Sequence, residues 1–136
     1  NVSKLDGVTV GPCGFIDITQ NARKVVFCGT FDAKGAKFET GNGQLSITRP
    51  GQIRKFVEKV DQITFSGKQA RFQNQQVLYV TERAVFRLKE KELELIEIAP
   101  GIDLQKDILD QMDFLPLIPE NLKTMDASIF MDDQNG

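Results

Sequence analysis

The chain contains no histidine, and that absence decides more about its chemistry than any single motif it carries. Without imidazole, these 136 residues can assemble no Ser-His-Asp triad, no Cys-His dyad and no His-based zinc site. The reactive groups that remain are carboxylates, lysines, the single tyrosine Tyr79, the thiols of Cys13 and Cys28, and backbone amides. The two cysteines are separated by 14 residues, which is neither metal-ligand nor CxxC spacing. They read as reduced thiols of a cytoplasmic protein, packed as small apolar residues.

Two local patterns can place those groups usefully. In Gly11-Pro12-Cys13-Gly14, glycines without a Cβ let a substrate approach the backbone. If a helix follows, its first amides point outward and can hold an oxyanion or a phosphate oxygen. An ordinary strand-to-helix turn that needs two glycines explains the same residues. The loop is not a P-loop, because no Gly-Lys-Ser/Thr follows, and it is not GxGxxG. Asp17 can stabilise the first helical turn. The second pattern is Thr81-Glu82-Arg83, which interrupts the apolar runs Val77-Leu78-Tyr79-Val80 and Ala84-Val85-Phe86. Charge inside an apolar run is costly unless it reaches water or a partner. The pair therefore marks a strand end with both charges exposed, or else Glu82 faces a cleft and orients a substrate. Lys55, Lys59, Lys68 and Arg71 would form a basic rim for an anionic ligand if the fold gathers them.

The elements that must position these residues belong to one domain. A chain of this length buries about two thirds of its unfolded surface, enough for a core. Seventeen basic against 19 acidic residues give a net charge of −2 and a pI near 5.2. That balance argues against phosphate backbones and anionic membranes as partners. No apolar run is long enough to span a bilayer, and no signal-peptide pattern opens the chain. It begins at Asn1 rather than Met, which reads as a processed product or a part of a longer protein.

Val8-Thr9-Val10 is a short strand. Phe15 to Arg23 has Phe15, Ile18 and Ala22 on one helical face but β-branched residues that suit a strand; the permissive Gly14 entry favours a helix. Lys24 to Gly29 reads as a strand buried on both faces. The middle is β-rich, with a hairpin over Ala36–Thr40 and Gln44–Thr48 turning at Asn42-Gly43. From Ile53 to Phe65 helical and strand signals disagree. Val77 to Leu88 and Leu93 to Ile98 are the clearest strands, separated by the solvated turn Lys89-Glu90-Lys91-Glu92. Asp103 can cap a helix carrying Leu104, Ile108 and Met112, and Pro119 suits the first turn of another helix through Leu122 and Met125. Residues 132–136 form a polar tail that frays.

Six stretches together resemble one family. They are Asn1-Val2-Ser3-Lys4; Gly11 and Gly14 with Phe15-Ile16-Asp17-Ile18-Thr19-Gln20-Asn21; Lys24-Val25-Val26-Phe27-Cys28-Gly29-Thr30-Phe31; Gln62-Ile63-Thr64-Phe65-Ser66-Gly67; Tyr79-Val80-Thr81-Glu82-Arg83-Ala84-Val85-Phe86; and Glu97-Ile98-Ala99-Pro100-Gly101-Ile102-Asp103. In this order the chain is similar to family I coenzyme A transferases, and most of all to acetate/propionate CoA-transferases that also act on acetoacetyl-CoA. Each stretch is a modest motif; six in series are specific.

The resemblance implies an α/β fold, an open sheet with flanking helices shared with ribose-5-phosphate isomerase-like proteins. Residues 1–131 would be the C-terminal part of the catalytic domain. It also implies a ping-pong reaction, in which a glutamate attacks an acyl-CoA thioester and then carries CoA itself as a glutamyl thioester. No match to the family's nucleophile motif occurs here, so that glutamate is expected upstream and the chain alone is expected to be inert. No catalytic residue is therefore expected within it. Positions carried over for substrate binding are Gly11, Cys13, Gly14, Phe15 and Glu82. The family's loop reads Gly-x-Gly-Gly; Cys13 replaces the middle glycine, a departure that keeps the backbone amide. Acyl-CoA and a short-chain carboxylate would be substrates, with no permanently bound cofactor and no metal. The remainder of the enzyme and further copies of it are the expected partners. A non-catalytic CoA-binding or assembly module on the same fold is the alternative, and a sugar-phosphate isomerase is a third reading from architecture alone.

Overall fold

A computed structural model describes residues 15–58, 70, 73–90 and 92–131 of the chain. A seven-residue helix α1 (Phe15–Asn21) leads into strand β1 (Lys24–Cys28), as the permissive glycine entry implies. The C-terminal carbonyls of α1 are held by the Gln75 amide, whose Nε2 donates to Thr19 O and Ala22 O, each at 2.6 Å. The last carbonyls of a helix have no partner within the helix itself.

Strands β2 (Asp32–Ala33) and β5 (Ile53–Arg54) form one small antiparallel pair. The expected hairpin is present as β3 (Lys37–Gly41) and β4 (Gln44–Arg49). Its turn has φ of 54° at Asn42 and 73° at Gly43. Two successive positive φ values make the turn whose twist matches the flanking strands, which explains why Asn-Gly stands there.

The principal sheet is β6 (Gln76–Val80), β7 (Ala84–Lys89), β8 (Glu92–Ile98) and β9 (Lys123–Thr124) together with β1, in the order β1-β6-β7-β8-β9. The β1–β6 and β8–β9 pairs are parallel, while β7 is antiparallel to both its neighbours. Four of the five strands therefore run the same way. This open mixed sheet is of the α/β class expected, though helix is sparse among the described residues. No described helix is long and apolar enough to cross a membrane.

One face of β7 and β8 carries the main core. Ala84, Phe86 and Leu95 pack there with Phe31, Leu45, Ala99, Ile102, Ile108, Met112 and Phe130. Phe56 lies between Phe31 and Phe86, its ring centroid 5.0 Å from one and 4.7 Å from the other. A smaller cluster joins Ala70 and Val77 with Phe27, Tyr79 and Leu88.

Several sequence expectations need correction. Strand β1 is not buried on both faces: Val25 is buried but Val26 is 46% exposed. Val77 to Leu88 is two strands rather than one, folded back at Thr81-Glu82-Arg83. The Thr81 hydroxyl makes that reversal possible, accepting from Ala84 N at 3.0 Å in place of a backbone carbonyl. Asp103 does cap a helical segment, its Oδ1 accepting from Lys106 N at 2.8 Å. The segment is a π-helical turn (Leu104–Ile108) followed by a 3-10 turn (Leu109–Gln111), not one α-helix.

In place of the helix expected from Pro119, the chain makes a turn at Glu120 and Asn121 and then enters the short strand β9. Pro116 and Pro119 both lack an N–H, and the backbone of Leu117 and Met125 pairs with β8 through Leu93 O, Leu95 N and Ile98 O. An open strand edge outweighs the local helical signal. The Val8–Val10 strand, the conflicted stretch from 59 to 65 and the 132–136 tail lie outside the described residues.

Candidate functional site

Because β1, β6, β8 and β9 point the same way, their C-terminal ends open on one edge of the sheet. Gly29-Thr30-Phe31 follows β1, Thr81-Glu82-Arg83 follows β6, and Ala99-Pro100-Gly101-Ile102 follows β8. Open α/β sheets hold ligands outside the carboxyl ends of their strands. Three of the six resembling stretches thus reach the edge where a site is expected.

Glu82 and Arg83 are the centre of this edge. Glu82 Oε2 accepts from Phe31 N at 2.8 Å, and Oε1 accepts from Arg83 Nε at 2.9 Å. The Glu82 side chain keeps 15% of its surface exposed, whereas that of Arg83 has none. Arg83 Nη2 donates to Asp32 Oδ1 at 3.2 Å and Nη1 to Asp107 O at 3.1 Å. Its guanidinium also lies 4.7 Å from the Phe31 ring centroid. Burying a charge this completely is tolerable only when its donors are met, and here a donor on each of its three nitrogens is.

Asp32 completes the cluster. Its second oxygen, Oδ2, accepts from Gly51 N at 2.8 Å. Gly51 is close enough that a Cβ would stand 2.5 Å from Ala33 O and 2.8 Å from Asp32 Cγ. Gly51→Ala should therefore push the backbone away from Asp32. We expect a loss of about 1–3 kcal/mol, read as a lowered urea midpoint at unchanged slope.

Lys55 brings one cation to the same edge, its Nζ donating to Thr30 Oγ1 at 2.7 Å and Thr30 O at 3.0 Å. Lys59, Lys68 and Arg71, the rest of the expected basic rim, lie outside the described residues. So do Gly11, Cys13 and Gly14. Phe15 begins α1, and its side chain is likewise outside them. The structure therefore gathers Glu82 with Phe31, Asp32 and Arg83. Sequence reasoning singles out only Glu82 of these as a site residue. The signal for Arg83 is present as a charge in an apolar run; its partner Asp32, 51 positions away, carries none.

The opposite edge holds a different charge cluster. There Arg87 and Lys89 both pair with the buried Glu94, Lys89 Nζ at 3.1 Å. Hydrogen bonds from Lys89 and Arg87 hold the Glu94 carboxyl below its usual range. Tyr79, the one phenol, stacks on Phe27 at 5.1 Å, and burial pushes its pKa up, away from acid–base use near neutrality. Among the described residues no group of three or more His, Cys, Asp or Glu side chains forms a metal site.

No model of a known protein family matches the chain. Acetate CoA-transferase YdiF of Escherichia coli K12 is 52% identical over 131 residues, 96% of this chain and 25% of that protein. Caffeate CoA-transferase of Acetobacterium woodii is 51% identical over 141 residues, 100% of this chain and 27% of the relative. The crystal structure of the acyl-CoA transferase YdiF from E. coli O157:H7, a thioester complex with CoA, superposes with a TM-score of 0.92 at 52% identity. That match takes in 97% of this chain and 26% of the other, and the apoenzyme superposes equally well, at 0.91. This chain spans about a quarter of the length of these relatives. In sequence and in fold, it is homologous to a quarter-length segment of the family I coenzyme A transferases.

Proposed function

We propose that the chain is part of an acyl-CoA:carboxylate CoA-transferase acting on short-chain acids such as acetate, propionate and acetoacetate. One observation carries this reading: the 52% identity and 0.92 TM-score to a transferase captured as a CoA thioester complex. Residues 1–131 are then the C-terminal part of its catalytic domain, with 132–136 a polar tail. A cytoplasmic location and a homo-oligomeric state are part of this reading. The Cys28 thiol is exposed rather than packed among apolar residues as the sequence suggests, and it is free, as thiols are in a reducing compartment.

The chemistry needs no histidine. A glutamate outside these 136 residues attacks the acyl-CoA carbonyl, and the tetrahedral oxyanion collapses with loss of CoA thiolate to an acyl–glutamyl anhydride. The thiolate attacks the glutamyl carbonyl of that anhydride, releasing the first carboxylate and leaving a glutamyl–CoA thioester. A second carboxylate takes over CoA by the reverse steps. Coenzyme A is substrate throughout, and no bound cofactor is required. By the family resemblance, backbone amides around Gly14 would hold the oxyanion, with Gly11, Cys13 and Phe15 carried over as substrate-binding positions beside them. Glu82 shapes the wall of the site. With both oxygens already accepting hydrogen bonds, it suits an anchor better than a nucleophile.

The test is CoA exchange from acetyl-CoA to propionate or acetoacetate by the full-length enzyme, beside the 136-residue chain alone. Exchange by the full-length enzyme and none above blank by the chain is the expected result. Robust turnover by the chain, or none by the full-length enzyme, overturns the reading.

A further inference from the structure

We propose that Arg83 is a positioning residue for the transfer reaction, acting through Glu82 to hold the Thr30–Phe31 loop at the carboxyl edge. The inference rests on the transferase reading above. It begins from a mismatch between cost and purpose. A buried ion pair stabilises a fold poorly, since apolar residues of the same volume commonly do as well or better. The fully buried Arg83 is therefore not explained by stability alone.

Geometry supplies the explanation. Arg83 Nη2 holds Asp32, Asp32 is covalently next to Phe31, Phe31 N holds Glu82 Oε2, and Glu82 Oε1 returns to Arg83 Nε. That is a closed ring uniting the loop after β1 with the turn after β6. The Nη1 contact to Asp107 O ties the π-helical turn to the same ring, and the guanidinium rests over the Phe31 ring. A guanidinium is planar with its donors fixed in a fork, so it sets directions as well as charge; an ammonium is a point charge and cannot span both carboxylates in the same way. Lys55 anchors on Thr30 of the loop that this ring holds. Losing the ring frees Thr30 and Phe31, and with Thr30 the acceptors that hold the Lys55 ammonium.

The experiment measures kcat and KM for acyl-CoA in full-length wild type, Arg83→Lys, Glu82→Gln and the double variant, well below the Tm of each. Arg83→Lys and Glu82→Gln should each lower kcat about tenfold or more with KM changed less than about twofold, as misplacement of reacting groups does. The double variant should be no slower than the slower single, because the two act as one unit. Lys89→Ala, in the charge cluster on the opposite edge, should leave kcat unchanged. A merely structural Arg83 would lower Tm and leave kcat at wild type, or its effect would multiply with that of Glu82→Gln; either result overturns the proposal. If Arg83→Lys does not fold, Glu82→Asp keeps the charge but shortens its reach, and unchanged kcat in that variant overturns it equally. Wild-type enzyme without exchange overturns the transferase reading and this proposal together; active wild type with unaffected variants overturns only this one.

Discussion

Arg83→Met should lower the folding stability by about 3–5 kcal/mol, a large share of the total stability of a domain this size. The methionine fills most of the space but leaves Asp32, only 3% exposed, and the largely covered Glu82 facing each other with no cation between them. Asp107 O loses its donor as well. Removing one member of a buried pair costs far more than the pair contributes, since the remaining charges keep their desolvation penalty. Combining Arg83→Met with Asp32→Asn and Glu82→Gln should recover a large part of the loss. Urea unfolding of the single and triple variants decides it: equal destabilisation in both, or less than about 1 kcal/mol in the single, contradicts the buried ring.

Phe86→Ala should cost a similar amount, about 3–5 kcal/mol. The Phe86 side chain is fully buried at the middle of the core, with ring centroids 4.7 Å from Phe56 and 6.4 Å from Phe31. Truncation leaves a cavity that neither neighbour can fill without abandoning its own contacts. Phe31 also carries the amide that Glu82 accepts from, so the damage reaches the carboxyl edge. Ile108→Val in the same cluster gives the scale, at about 0.5–1.5 kcal/mol. Thermal unfolding of both variants should separate them clearly. A Phe86→Ala loss no greater than that of Ile108→Val would mean that the core is not organised around this ring.

Much of the fold is legible in the sequence because it depends on short-range rules. Asn42-Gly43 marks its hairpin, Asp103 its cap, and the alternating runs around Val77 and Leu93 their strands. What escapes is decided by distant partners. Pro119 to Met125 carries a helical pattern, yet it pairs with β8 because that edge is open. Thr81-Glu82-Arg83 leaves two readings open in the sequence, exposed charges at a strand end or Glu82 facing a cleft. Neither buries Arg83, since nothing nearby in sequence announces that Asp32 and Asp107 complete a buried network. The family resemblance locates Glu82 as a residue of interest; only packing shows that it forms one side of a ring with Arg83. Gly51 is likewise unreadable, its need for a bare Cα arising from the Asp32 carboxylate and Ala33 backbone.

The most direct test of this mechanism is where coenzyme A lies. A crystal structure of the full-length enzyme trapped as its glutamyl–CoA thioester should place the thioester at the carboxyl edge. Its carbonyl oxygen should lie within hydrogen-bond reach of the amides near Gly14, beside the Thr30–Phe31 loop and the Glu82–Arg83 turn. Coenzyme A bound at the opposite edge, near Arg87, Lys89 and Glu94, would contradict it.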